Sequence, residues 1–146
     1  MTKPRSFLNR LDHDRVVAAI RAAESRSRGE IRVHVTHKAV HDPQRTAAAL
    51  FEKLGMAATA ERNGVLLFVA PASQRFAVVG DKGIHEKCGD GFWKEVASAM
   101  EEDFRQGRFT DGIVKGVARA GDALAVHFPR ADRADANELP DEVSED

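Results

Sequence analysis

The sequence predicts an α/β fold: a small mixed sheet with helices on both faces. Three observations predict it. Val65-Leu66-Leu67-Phe68-Val69-Ala70 is an unbroken apolar run, and a strand without polar alternation is one buried on both faces. A second run, Phe76-Ala77-Val78-Val79, follows after the short break at residues 71–74, which implies an antiparallel hairpin. Residues 30–37 also read as a strand, and a helical stretch separates them from the apolar run. Strand, helix, strand in that order implies a right-handed crossover and parallel pairing.

In chain order, residues 1–11 form a basic N-terminal segment. Asp12 suits an N-cap, with Leu11 before it as a hydrophobic staple. Val16, Val17, Ile20 and Ala23 recur at helical spacing, and Gly29 ends this first helix. Glu30 to His37 then alternates, placing Ile31, Val33 and Val35 toward the core. Glu30, Arg32, His34 and Thr36 face away, which predicts an edge strand. Asp42-Pro43 opens a second helix, with Asp as cap and Pro in the first turn. Ala47, Leu50, Phe51 and Leu54 form its stripe, and Gly55 ends it. Residues 56–62 link it to the central strands, with Asn63-Gly64 as a turn signal.

Beyond the hairpin, Asp90 caps a third helix whose apolar face holds Phe92, Trp93, Val96, Ala97, Met100 and Phe104. Gly107 stops it, and Thr110 caps a fourth helix carrying Ile113, Val117, Gly121 and Leu124. Gly112, Gly116 and Gly121 lower that helix's own propensity, so they mark close approach to the sheet. Phe128-Pro129 closes a single domain over residues 12–128. Residues 129–146 read as an acidic, flexible tail, too polar to hold a core alone.

The chain has 146 residues, 42% of them hydrophobic, and a net charge of −1. That suits one globular domain and gives no whole-chain pull toward nucleic acid or anionic lipid. Charge is unevenly placed. Seven acids and two arginines leave residues 129–146 at −5, so the remainder carries +4. One cysteine, Cys88, excludes an intrachain disulfide. The first residues contain no apolar signal core, and no window is long enough for a membrane-spanning helix. A cytoplasmic location without membrane insertion is the expectation.

Three aspartates stand at element ends: Asp42, Asp81 and Asp90. Hard cations such as Ca²⁺ or Mg²⁺ need several carboxylate or carbonyl oxygens brought together, but Asp42 and Asp90 also suit plain helix capping. Asp81 follows a strand that runs antiparallel, which sets it at the opposite end from Asp42. Gly80-Asp81-Lys82-Gly83 would present backbone N–H groups to an anion, with Lys82 as a point charge. The alternative is a glycine-enabled turn into a helix. His34, His37 and His41 cluster near the first strand's end, but the first two fall on opposite faces. Cys88, near a helix start, is placed for a lowered pKa. No tyrosine-phosphatase loop or GxSxG pattern is present.

At Arg62-Asn63-Gly64-Val65-Leu66-Leu67-Phe68-Val69-Ala70 the chain resembles the TPM domain family, which includes thylakoid-lumen, acid-phosphatase-like proteins of photosystem repair. Glu30-Ile31-Arg32-Val33 after Gly29 resembles the family's first strand, and Ala48-Ala49-Leu50-Phe51 its following helix. Gly83-Ile84 with Asp90 resembles its glycine-rich loop and aspartate. Phe104-Arg105-Gln106-Gly107-Arg108-Phe109 with Gly112-Ile113 resembles its F-xx-G-x-aromatic-xx-G-[LI] segment. The resemblance covers about residues 12–128. It implies a three-layer, Rossmann-like α/β/α sandwich with three to four strands and about four helices.

It also implies a role as an accessory domain that binds a protein partner, in some members a membrane-associated one, with a divalent cation in others. By motif position the resemblance points to Asp90, then Gly83 and Asn63; together with the residue reading above, the metal set is Asp42, Asp81 and Asp90, and the loop set is Asn63, Gly80, Lys82 and Gly83. The competing expectation is a metal-assisted acid phosphatase acting on phosphomonoesters, with Lys82 or a histidine meeting the phosphate. No nucleophile or base pair accompanies that second reading.

Overall fold

The computed structural model describes residues 12–130 and 143–145. Helix α1 (His13–Glu24) starts at Asp12, whose carboxylate accepts the Arg15 N–H at 3.1 Å. It ends at Ser25, ahead of the predicted stop. Gly29 serves a different purpose, because a Cβ there would lie 2.5 Å from Leu124. Strand β1 (Glu30–Val35) leads to helix α2 (Pro43–Lys53), capped by Asp42 through the Arg45 N–H at 3.1 Å. Strands β2 (Gly64–Ala70) and β3 (Arg75–Gly80) form a hairpin that turns at Pro71–Ser73, with Gln74 left-handed at φ 53°. Helices α3 (Lys82–Arg105) and α4 (Phe109–His127) follow, and strand β4 (Val143–Glu145) comes last.

The strand order is β3-β2-β1-β4. β1 pairs parallel with β2 in a register that sets Ile31 against Val65, and β2 pairs antiparallel with β3. The mixed sheet is as expected. Ile31, Val33, Val35, Val65, Leu67 and Val69 pack beneath α1, α3 and α4. Leu66, Phe68 and Ala70 face a second, smaller core with Ala47, Phe51 and Met56, on the α2 side. Three layers result, and β2 is buried along its whole length.

Strand β1 is not the edge strand its alternation suggested. β4 lies against it in parallel, Val33 opposite Val143. Glu30, Arg32, His34 and Thr36 are all buried instead of solvated. His34 lies flat over Phe68, 4° from parallel with centroids 6.0 Å apart. Part of the tail read as flexible is therefore a strand of the sheet. Residues 131–142 and 146, on which the rest of that reading falls, lie outside the described residues, as do residues 1–11 with the Leu11 staple.

The α3/α4 corner also departs from expectation. Thr110 is not the cap; Arg108 holds that position without a side-chain capping bond. The Thr110 hydroxyl accepts from the Asp12 N–H at 3.0 Å and ties α1 to α4. The α4 glycines mainly admit neighbouring helices. A Cβ at Gly112 would lie 2.6 Å from Phe104, and one at Gly121 2.5 Å from Ala23. Gly116 alone of the three also meets the sheet, at Leu67.

Asp103 locks this corner. Its buried carboxylate takes Lys115 Nζ at 2.9 Å and Arg108 Nη2 at 2.8 Å. Both partners are half exposed, so the carboxylate is sealed under a thin layer. Hydrogen bonds from Lys115, then Arg108, hold its carboxyl below the usual carboxylate range. The stabilisation is full above the unfolded value of about 3.9. It is lost as pH falls through the lower folded value. Asp103→Asn should therefore cost about 1–2 kcal/mol at neutral pH and flatten the fall in stability under acid. Denaturant melts from neutral to strongly acid pH measure both. An unchanged acid slope would remove Asp103 from the account.

Candidate functional site

The loop predicted as the functional edge lies where β1 and β2 begin and β3 ends. Gly80 stands opposite Val65, and the Asp81 N–H donates to the Gly64 carbonyl at 2.8 Å. Asp81 caps α3, which begins at Lys82; the non-helical Gly89 divides it, so the segment predicted from Asp90 onward starts where expected and a further helical segment precedes it. The Asp81 carboxylate is 6% exposed and is gripped by Arg62, Nε to Oδ2 at 2.8 Å and Nη2 to Oδ1 at 2.9 Å. Oδ1 also accepts the Lys82 N–H at 2.7 Å.

Arg62 contributes its backbone as well. It is left-handed at φ 53°, a conformation that costs a residue with a Cβ about 1–2 kcal/mol. That geometry aims its carbonyl at the first turn of α3, where it accepts from Gly83 N at 2.8 Å and Ile84 N at 3.3 Å. The His85 N–H closes onto the Asp81 carbonyl at 2.8 Å. The N–H groups read as an anion cradle are thus taken by the protein's own oxygens. Gly83 is required because a Cβ would lie 2.2 Å from the Glu61 carbonyl oxygen and 2.7 Å from that of Arg62.

The remaining loop residues serve the same corner. Asn63 is buried, and its side-chain amide donates to the Arg28 carbonyl at 3.2 Å. Arg28 in turn grips Glu61, Nε to Oε2 at 2.7 Å and Nη2 to Oε1 at 2.8 Å, and donates to the Pro129 carbonyl. The hydrogen bond from Arg28 holds the Glu61 carboxyl below its usual range. Gly80 lies under Trp93, whose ring would stand 2.4 Å from an added Cβ. The Lys82 side chain is exposed.

The structure does not gather the three aspartates. Asp42 caps α2 beyond the far end of β1, whereas Asp81 lies beside the start of β2. Asp90 follows a break in α3 at Gly89 (φ 78°, ψ 169°), is 80% exposed, and pairs with His85 Nε2 at 3.0 Å. A hard cation needs several oxygens free to converge, and both Asp81 oxygens already carry donors. These residues do not fit a single metal centre. Among the described residues, no group of three or more His, Cys, Asp or Glu side chains is placed to hold a metal ion.

Cys88 is also unlike its expected state. It lies at the end of the helical segment that precedes the Gly89 break, and burial pushes its thiol pKa up. Sequence reasoning missed Arg62, Arg28 and Glu61 as partners of the loop. Arg62 stands directly before the Asn63-Gly64 turn signal, which says nothing of its own backbone or of its partner. Among the described residues no helix is long and apolar enough to cross a membrane.

A family model described as the TPM domain matches residues 1–123. The solution structure of the BA42 protein from the psychrophilic bacterium Bizionia argentinensis is similar at 38% identity and a TM-score of 0.85, over 94% of this chain and 96% of that one. The N-terminal domain of a P. gingivalis protein is similar at 19% identity and a TM-score of 0.56, over 80% and 75% of the two chains. The N-terminal domain of the cg2496 protein from Corynebacterium glutamicum shares 12% identity at a TM-score of 0.62, over 87% and 79%. These last two likenesses are of fold alone. No curated protein matches the chain.

Proposed function

The chain belongs to the TPM domain family, and from that premise we propose that it is a non-catalytic accessory domain that binds a protein partner. One observation carries this reading. The start of α3 at the sheet edge spends its buried carboxylate and its amides internally: Asp81 on the Arg62 guanidinium and the Lys82 N–H, and the Gly83 and Ile84 amides on the Arg62 carbonyl. A site for phosphoryl transfer needs donors and charge left over for the substrate. A closed corner of this kind instead stiffens the start of α3 and the ends of three strands. The stiffened domain then offers surface to a partner.

A phosphate-ester assay tests the reading against its rival. With p-nitrophenyl phosphate, with and without Ca²⁺ or Mg²⁺, wild type and Asp81→Asn should release product at the same background rate. Turnover that falls by about tenfold or more in a folded Asp81→Asn or Asp90→Asn chain would overturn the proposal. Thermal melts with the same cations read binding directly. A Tm that climbs as ln(1 + [L]/Kd), and stops doing so in Asp90→Asn, would restore the metal-assisted reading.

A further inference from the structure

β1 becomes an inner strand only because three residues from far along the chain lie beside it. Val143, Ser144 and Glu145 pair with Val33, His34 and Val35, which is half of the six-residue strand. Recognition runs on both faces of this short strand. Val143 packs against the main core. On the other face, the Ser144 hydroxyl meets His34 Nδ1 at 2.8 Å and receives Arg32 Nε at 3.3 Å. Arg32 and His34 are buried polar side chains on a sheet face, and a hydroxyl is what the strand brings to them.

The seated segment belongs to an acidic tail, residues 129–146 at −5. The family match ends at residue 123, before this strand. Three paired residues form a weak clasp by themselves, and attachment to the same chain supplies the local concentration that keeps them there. A segment with the same side-chain order that paired along more of β1 would compete for the place, since backbone pairing gives affinity and alternate side chains give specificity.

We infer that the β1 edge is a docking site for an extended, acidic segment of a protein partner. The segment adds parallel to β1 with a small apolar residue, a hydroxyl residue and an acid in sequence, and Val143–Glu145 is the resident competitor. The inference rests on the partner-binding reading above. Its test is a binding measurement, so it succeeds or fails independently of the phosphate-ester assay.

The probe is a synthetic peptide, ELPDEVSED, copying residues 138–146. It is titrated into the full chain, wild type and Ser144→Pro, with the amides of Val33, His34 and Val35 followed by NMR. Proline removes both the hydroxyl and a backbone donor from β4. The variant should bind saturably at those amides, about tenfold or more tighter than wild type. A peptide with alanine in place of its serine should bind several-fold more weakly. If Ser144→Pro does not fold, Ser144→Ala, which keeps the backbone, should still bind the probe more tightly than wild type.

A folded variant whose β1 amides do not respond overturns the inference. Equal binding of a peptide with lysine at every acid overturns its acidic character. Wild-type β1 protection that rises with protein concentration would identify the occupant as a second copy's tail and overturn the assignment to a separate partner.

Discussion

Leu67→Ala will lower the stability of the fold by about 3–4 kcal/mol. Leu67 is fully buried in the central strand, between Val33 and Val78. The loss combines the transfer energy of the removed carbons with the cavity they leave. Collapse around the cavity is limited, because β2 is held on both sides by the ladder and Gly116 of α4 already approaches Leu67 closely. Urea melts should show a lower midpoint with an unchanged slope. Gly116→Ala supplies an internal check. Its Cβ would stand 2.8 Å from Leu67 and 2.6 Å from Met100 Sδ, so alone it should destabilise by overpacking. In the Leu67→Ala background the same change should cost less, giving a favourable coupling of about 1 kcal/mol. A Leu67→Ala loss under about 1 kcal/mol would mean that β2 is not packed as described.

Gly83→Ala is the second large effect, at about 3 kcal/mol. At Gly80 and Gly116 a new methyl would meet side chains that can rotate. At Gly83 it would meet two backbone carbonyl oxygens, those of Glu61 and Arg62. Relief requires moving the chain, which breaks the Gly83 N–H bond to Arg62 and slackens the Arg62 grip on Asp81. Faster amide exchange at Gly83 and Ile84 should accompany the lost stability. A variant within about 0.5 kcal/mol of wild type would show that the corner yields and would remove the reason given for glycine at this position.

The legible parts of the fold were those decided by near neighbours in sequence. The apolar run of β2, the caps at Asp12 and Asp42, the hairpin turn and the Gly107 stop each depend on a few adjacent residues. What stayed hidden depended on partners far along the chain. Arg32 and His34 alternate with apolar residues as solvated side chains do, and the partners they meet, Ser144 for both and Phe68 for His34, lie far along the chain. Asp81 was identifiable as the end of a strand. Whether its carboxylate faced a cation or a guanidinium turned on Arg62, whose left-handed backbone no local pattern announced. Asp90 marks where α3 resumes after Gly89; the segment before it, from Lys82, was the hidden part, because its cap Asp81 was read as a strand end.

The parallel pairing of β1 with β4 also orders events during synthesis. β1 is made early, and its outer partner is made after every other element described. Until residue 143 has emerged, the growing chain carries β1 with one unpaired margin of amide and carbonyl groups, the kind of template on which strands of other chains nucleate. The tail strand therefore acts as the last stitch of the sheet.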